Sequence, residues 1–314
     1  MKLIRGQVDL PDRYGGCVVT IGTYDGLHLG HQALVTRLRI HARRTGQPAV
    51  MLTFEPMPRE FLSPADPPAR LTTFRERWRI LCGAGLDYFW LLRFDEALRN
   101  LSGEDFARLL VRRLRPSVVV VGHDFRFARK GEATAGALAA AGERLGFAVD
   151  VVPAVELAGE RISSSGVREA LSRADFARAQ RWLGRPYSMR GRVIGGRRLG
   201  RDLGFPTANL ALGRRRAPVA GIFAVRVHGV ASGALPGVAS LGTRPTIGGG
   251  EALLEAHVFD FSGDLYGHEI EVEFAAKLRD EQRFASLEAL TVQMERDAAE
   301  ARAILGGAGK YSSG

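Results

Sequence analysis

The stretch GTYDGLHLGH, Gly22 to His31, follows the apolar run Cys17 to Ile21 and sets two histidines three residues apart, among Gly22, Gly26, Gly30 and one aspartate, Asp25. The run before it reads as a short buried strand. From Gly30 to about Arg44, Leu34, Leu38 and Ala42 recur every four residues on one face, which predicts a helix that Gly46 ends. The histidines therefore stand where a strand hands over to a helix. Zinc would need a third and usually a fourth ligand, and no nearby cysteine or spaced histidine supplies one. A packed structural imidazole is the ordinary reading of a lone histidine in a loop. Phosphate chemistry is the third reading, because free backbone N–H groups and the positive end of the dipole favour anions at a helix N-terminus. The glycines favour it, since they let backbone approach a ligand closely. HLGH at a helix mouth then aims two imidazole donors at one phosphate.

Outward from this stretch the first half alternates strand and helix. Ala49 to Phe54 reads as a strand, and Thr73 with Glu76 makes a capping box that opens a helix to about Leu81. Tyr88 to Leu92 is the next strand. Ser102 caps a helix through Leu114, and Pro116 stops it before Ser117 to Val121, whose four consecutive valines suit a strand buried on both faces. A helix over Ala135 to Leu145 and a strand over Ala148 to Val152 complete an α/β series. Repeated β-α-β predicts a doubly wound parallel sheet with ligands at the carboxyl ends of its strands, where GTYDGLHLGH lies.

After helical segments near Ser164 to Ser172 and Asp175 to Leu183, GRP at Gly184 to Pro186 marks a change of rhythm. Short runs separated by glycine follow: Arg192 to Ile194, Ile222 to Val227, Val238 to Leu241, Leu253 to Phe261 and Glu269 to Phe274. They predict a small antiparallel β-barrel or sandwich. Ser286 then opens a terminal helix whose stripe of Leu287, Leu290, Met294, Ala298, Ala301 and Leu305 is expected to lie against it. The expected domains are 1–184 and 185–305, with a disordered tail over 306–314. The GK of that tail is not a phosphate loop, because Ile304 and Tyr311 stand at its key positions.

At 314 residues, 46% hydrophobic and 25% charged, the composition is that of a soluble chain with two domains. No secretory h-region and no apolar run of about 20 residues is present, so a cytoplasmic protein without membrane contact is expected. Cys17 and Cys82, the only cysteines, are expected to be small buried hydrophobes. The net charge of +10 admits a nucleic-acid partner, but the arginines are scattered and no basic stripe carries interleaved aromatics. A nucleoside triphosphate suits the charge better. The sequence does not fix the oligomeric state.

GTYDGLHLGH resembles the signature of the HxGH nucleotidyltransferases, in the form found in bacterial bifunctional riboflavin kinase/FAD synthetases. The resemblance continues in TFEPMPREFL from Thr53, VGHDFRFARKGEA from Val121 and RISSSGVREAL from Arg161. Beyond the boundary it returns in GRVIGGRRLGRDLGFPTANL from Gly191, in SLGTRPTIGG from Ser240, and in LLEAHVFDFSGDLYGHEIEVEF from Leu253. Two positions depart from it: Met57 stands where a histidine is frequent, and Ala128 where a glycine is.

The resemblance implies two reactions. In the first domain the phosphate of FMN attacks the α-phosphorus of ATP, giving FAD and pyrophosphate. His28 and His31 are the expected catalytic residues there, with Gly22, Tyr24, Asp25, Gly26, Gly30, Asp124, Arg161, Ser164, Ser165 and Arg168 around the nucleotide. In the second domain riboflavin is phosphorylated by ATP to FMN. Glu255 is the expected base, Thr207 and Asn209 the Mg²⁺ ligands, Gly195, Gly200 and Arg201 the phosphate wrap, and Arg279 a flavin contact. The close alternative keeps the flavokinase and gives the first domain another phosphorylated acceptor.

Overall fold

The computed structural model describes residues 1–6, 10, 15–195, 204–243 and 252–307. The chain folds into two compact units. The first comprises Met1–Pro68 with Arg77–Ser163, and the second Ala69–Glu76 with Ser164–Gly314.

The first unit is built on a six-stranded parallel sheet of β1 (Lys2–Arg5), β2 (Cys17–Ile21), β3 (Ala49–Glu55), β4 (Tyr88–Arg93), β5 (Pro116–Gly122) and β8 (Ala148–Val152), in the order β1-β4-β3-β2-β5-β8. Between β5 and β8 lies a two-residue hairpin, β6 (Arg126–Phe127) with β7 (Ala133–Thr134); a second, β9 (Glu156–Leu157) with β10 (Glu160–Arg161), follows β8. The chain winds from β2 through β3 to β4 on one side and resumes with β5 on the other. β2 is therefore the topological switch point, beside which an open α/β sheet forms its crevice. All five residues of β2 and the four valines of β5 are buried, as strands covered on both faces must be.

Helix α1 (Leu29–Thr45) buries Leu34, Val35, Leu38 and Ala42, and Gly46 ends it in the left-handed conformation at φ 67°. The short α2 (Pro58–Leu62) follows β3, and α3 (Phe74–Leu81) opens with the expected capping box. Thr73 N–H and Oγ1 donate to Glu76 at 2.6 and 3.0 Å, while Glu76 N–H returns to Thr73 Oγ1 at 3.3 Å. The one-turn α4 (Glu96–Arg99) precedes α5 (Gly103–Leu114), capped by Ser102, and α6 (Ala135–Leu145) is capped by Thr134. Cys17 is buried and its thiol pKa is pushed up to about 12 by that burial, whereas Cys82 is exposed. The expectation of two buried cysteines is thus corrected: Cys82 falls just beyond α3, on the turn where its N–H bonds back to Trp78.

In the second unit α7 (Ser164–Ser172) and α8 (Phe176–Leu183) pack at Gly166, where any Cβ would collide with the Trp182 ring. A closed antiparallel barrel follows. Its strands are β11 (Ser188–Ile194), β12 (Ala208–Ala211), β13 (Gly221–His228), β14 (Leu235–Thr243), β15 (Ala252–Val258) and β16 (Glu269–Arg279), joined in the order β11-β12-β15-β14-β13-β16. The Ala69–Glu76 segment is tied to this unit by bonds from Arg214 Nη1 and the Tyr187 hydroxyl to the Arg70 and Leu71 carbonyls, and by one buried ion pair. Arg214 Nη2 meets both oxygens of Glu76 at 2.6 Å, its side chain fully buried, while Arg190 N–H donates to the same carboxylate at 2.8 Å.

The terminal helix α9 (Leu287–Gly307) packs against the barrel through its second half. Ala298, Ala301 and Leu305 pack with Ala224, Val238, Phe259 and Ala276, but Leu287 is 61% exposed. A 21-residue helix is about 30 Å long, and the expected stripe extends past the apolar surface it meets. The first two residues of the expected tail, Gly306 and Gly307, belong to this helix, and the rest of that tail lies outside the described residues.

Candidate active sites

In the first unit His28 is the N-cap of α1. Its Nδ1 accepts the backbone N–H of His31 at 3.3 Å, which puts the proton of a neutral His28 ring on Nε2. Gly22 and Gly30 make room for rings: an added Cβ would stand 3.0 Å from Tyr24 and 3.1 Å from His28 respectively. His31 stacks on His28, with centroids 3.7 Å apart and planes 19° from parallel, and meets the edge of Tyr24 at 5.3 Å. Its Nδ1 is buried and has no hydrogen-bond partner among the described residues. Burial, then the fields of His28 and Arg77, hold its pKa well below the usual histidine value, so the ring is neutral at pH 7.

The loop between strand and helix is strongly bent, with Tyr24, Gly26 and Leu27 at φ 52°, 85° and 48°. Tyr24 fixes it from within. Thr20 Oγ1 gives its proton to the Val120 carbonyl at 2.8 Å, so the buried Tyr24 hydroxyl must donate to Thr20, at 2.7 Å. β2, the loop and β5 are thereby joined at the switch point. Asp25 is buried in the same loop. Asp124, in the turn after β5, pairs with Arg161 of β10, and both are exposed.

The remaining expected residues of the transfer site fall in the second unit. Ser164, Ser165 and Arg168 lie on the first two turns of α7, Ser165 exposed, and Arg168 Nε donates to the Ala69 carbonyl at 2.6 Å. The boundary of the two compact units thus runs between Arg161 and this trio.

The barrel carries a cavity of about 330 Å³ lined by Pro206, Thr207, Asn209, Ser262 and Tyr266, among others. Antiparallel register sets Asn209 of β12 directly opposite Glu255 of β15, and Glu255 opposite Ser240 of β14. Asn209 is 7% exposed, and its Oδ1 is buried without a hydrogen-bond partner among the described residues. That atom is an unused hard oxygen acceptor. His257, two residues beyond Glu255, bonds through Nδ1 to the Pro206 carbonyl at 2.9 Å, which makes Nδ1 the donor and ties the PTAN turn to β15.

Gly195 is exposed just after β11; Gly200 and Arg201 lie outside the described residues. Arg279 turns to α9: its Nε reaches both Asp297 oxygens at 3.0 Å and its Nη2 one of them at 2.7 Å. Residues that carried no role in the sequence reading also stand at these places. Ser240 and Tyr266 lie inside stretches that carry the family resemblance but had no role of their own, and Arg77, which bonds the Thr23 carbonyl, reads in sequence as one more charge on a short helix.

Comparison with known proteins identifies two nucleotide-using transferase parts. The FAD synthetase family matches residues 11–166, and the riboflavin kinase family matches residues 183–305. Relatives match over the whole length. The bifunctional riboflavin kinase/FMN adenylyltransferase of Pseudomonas fluorescens is 46% identical, over 97% of this chain and 98% of its own. The Escherichia coli K12 protein of the same description is 44% identical over 98% of each, and that of Haemophilus influenzae is 41% identical over 96% of this chain and 99% of its own. A crystal structure described as a macrolide-efflux protein from Streptococcus pneumoniae superposes with a TM-score of 0.80 at 31% identity, covering 96% of this chain and 98% of that one. In the present chain no described helix is long and apolar enough to cross a membrane. The chain belongs to the bifunctional riboflavin kinase/FMN adenylyltransferase family.

Proposed function

We propose that the chain makes FAD from riboflavin in two ATP-dependent steps: the barrel phosphorylates the flavin hydroxyl to give FMN, and the α/β part transfers AMP from ATP to the FMN phosphate, releasing pyrophosphate. Residues 1–184 hold the second activity and 185–305 the first, in a cytoplasmic enzyme. The observation that carries this reading is the presence of both family matches in one chain, with relatives aligned across the whole of it.

For adenylyl transfer the nucleophile is the FMN phosphate, already anionic near neutrality, so the demand on the protein is charge stabilisation. The Nε2–H of His28 donates to the α-phosphate as charge shifts to the bridging oxygen, and a well-aimed donor of this kind is worth about 3 kcal/mol in the transition state. His31, neutral and with Nδ1 unengaged, adds a second contact to the same phosphate. Gly22, Tyr24, Asp25, Gly26 and Gly30 shape the loop around the nucleotide, and Asp124, Arg161, Ser164, Ser165 and Arg168 are assigned to the nucleotide and its β,γ-phosphates. Arg161 serves the phosphates by exchanging Asp124 for them.

Riboflavin offers a neutral hydroxyl, so a proton must be removed as the bond to the γ-phosphorus forms and the bond to the β-bridging oxygen breaks. Glu255 is the assigned base. Asn209 Oδ1, buried and unengaged, fits a hard divalent cation, and Thr207 supplies a second oxygen. Mg²⁺ bound there supplies charge neutralisation on the ATP phosphates. Gly195, Gly200 and Arg201 are assigned to the phosphate wrap, and Arg279 reaches flavin only by releasing Asp297. Incubation of the full chain with riboflavin, ATP and Mg²⁺ tests the whole reading by product analysis. FMN followed by FAD and pyrophosphate is expected; FMN without FAD at saturating ATP would require a different acceptor for the first part.

A further inference from the structure

One fully buried charge in the first unit belongs to no assigned role. Arg77 sits on α3 beside Trp78, whose ring packs edge-on against Phe89 of β4 at 6.1 Å. Its guanidinium donates through Nη1 to the Thr23 carbonyl at 2.7 Å and to Thr53 Oγ1 at 3.1 Å, and through Nη2 to Glu55 at 3.0 Å. Thr53 Oγ1 also donates to the Thr23 carbonyl, at 3.3 Å. Thr23 is the second residue of GTYDGLHLGH, while Thr53 and Glu55 end the neighbouring strand β3. Burying a guanidinium is costly unless it is paired and hydrogen-bonded. Here the arrangement fastens the start of the imidazole-bearing loop to the carboxyl end of β3.

We propose that Arg77 is a positioning residue for adenylyl transfer: its fork-shaped guanidinium locks the Thr23 carbonyl to Thr53 and Glu55 and thereby holds the His28 and His31 rings at the mouth of α1. The inference rests on the assignment of those rings to the transfer reaction. A planar fork supplies two directed donors at once, which a lysine ammonium does less well. At the loop entry this lock adds to the Gly22 N–H bond to the Leu52 carbonyl at 3.1 Å, while Tyr24 anchors the middle of the loop and the His28 cap its end. Arg77 also acts at a distance. The groups that face His31 are His28, the Tyr24 ring and the Arg77 cation, with Asp25 buried in the same loop and Glu55 pairing Arg77 from β3. The cation disfavours a proton on His31, so the positive charge under the loop stays on a fixed side chain and not on the mobile proton of a ring.

The test uses full-length Arg77→Met and Arg77→Lys chains. FAD formation from FMN and ATP, riboflavin phosphorylation and the ring titration of His31 by NMR are measured on each. Arg77→Met is expected to lower kcat for FAD formation about 100-fold, the scale of an ångström-sized misplacement, with KM for ATP changed about threefold at most and riboflavin phosphorylation unaffected. Its His31 ring is expected to titrate nearer the ordinary value of about 6.5. Arg77→Lys is expected to recover about tenfold of the loss and to keep His31 titrating low, because the charge remains. A wild-type rate in Arg77→Met, no recovery in Arg77→Lys, or an unmoved His31 titration in Arg77→Met overturns the proposal. If Arg77→Met does not fold, Thr53→Val removes one partner of the lock and is expected to lower the same kcat about tenfold, on the scale of one hydrogen bond; a wild-type rate there overturns it equally. His28→Ala separates the two levels of inference. If that variant still forms FAD at the wild-type rate, the transfer assignment itself falls, whereas loss in His28→Ala with Arg77→Met unaffected removes only the role of Arg77.

Discussion

The two sites are built from opposite kinds of atom. Below the parallel sheet's switch point the structure gathers donors and fixed positive charge, with the helix mouth, the His28 Nε2–H and buried Arg77. On the barrel it gathers acceptors, an unengaged Asn209 oxygen opposite the Glu255 carboxylate. The difference follows from the nucleophile each reaction uses. An FMN phosphate arrives already ionised and needs its growing charge received, whereas a flavin hydroxyl arrives neutral and needs a proton taken and a cation held nearby. In this proposal one chain carries out both ATP reactions without a shared catalytic design.

Removing one group on each side puts this contrast under the most severe strain. His28→Ala should cut FAD formation from FMN by about 10²- to 10³-fold and leave riboflavin phosphorylation within a factor of about two. Glu255→Gln should do the reverse, by a factor of about 10² to 10⁴. Equal damage to both activities by either variant would mean that the two sites are not chemically separate.

A smaller effect probes the framework of the second unit. Glu76→Gln leaves the fully buried Arg214 without its anionic partner and should destabilise the unit that holds the barrel by about 3 kcal/mol in chemical unfolding. Stability unchanged within error would show that the ion pair contributes nothing net. The same pair predicts that a fragment beginning at residue 185, which lacks Glu76, unfolds more readily than the barrel of the full chain.

Protonation gives a finer test of the first unit. His31 has a pKa lowered on folding, so between about 6.5 and that lowered value the unfolded chain takes up a proton that the folded one refuses. Stability from this group is complete above pH about 6.5 and falls as the pH drops below it. His31→Gln should remove that part of the slope between unfolding experiments at pH 7.5 and 5.5. Smallest is Ala128→Gly. Ala128 holds φ 68° and ψ −176°, a region that side chains avoid, and glycine there should raise stability by about 1 kcal/mol, read as a higher Tm.

Much of the fold is legible in the sequence because it is local. The capping box of Thr73 and Glu76, the Ser102 cap, the run of four valines and the glycine that ends α1 each act within a few residues of themselves, and each appears where it was read. β1 and β12 escape such reading: KLIR and ANLA are four residues each, and their pairing with β4, β11 and β15 is what makes them strands. The same holds for the site. The imidazoles and the PTAN turn carry motifs, but the long-range bonds that hold the two units' frameworks leave no local pattern. Arg77, Arg214 and His257 act on residues that are 54, 138 and 51 positions away in sequence, a relation that no local pattern records. The two positions that differ from the family motif divide in the same way. Ala128 has a backbone reason for the glycine the resemblance led one to expect, and nothing described around Met57, which is buried at the start of α2, calls for a histidine.

The proposed scheme has two independent sites, one receiving charge and one receiving a proton, acting in sequence on a flavin, and complementation in solution tests it with the fewest intermediate steps. His28→Ala and Glu255→Gln chains are each supplied with riboflavin, ATP and Mg²⁺, separately and then mixed, and the flavin products are resolved. Separately, the first should stop at FMN and the second should leave riboflavin unchanged; mixed, they should convert riboflavin to FAD. A mixture that forms no FAD, or a Glu255→Gln chain that forms FAD from riboflavin alone, would refute the two-site scheme.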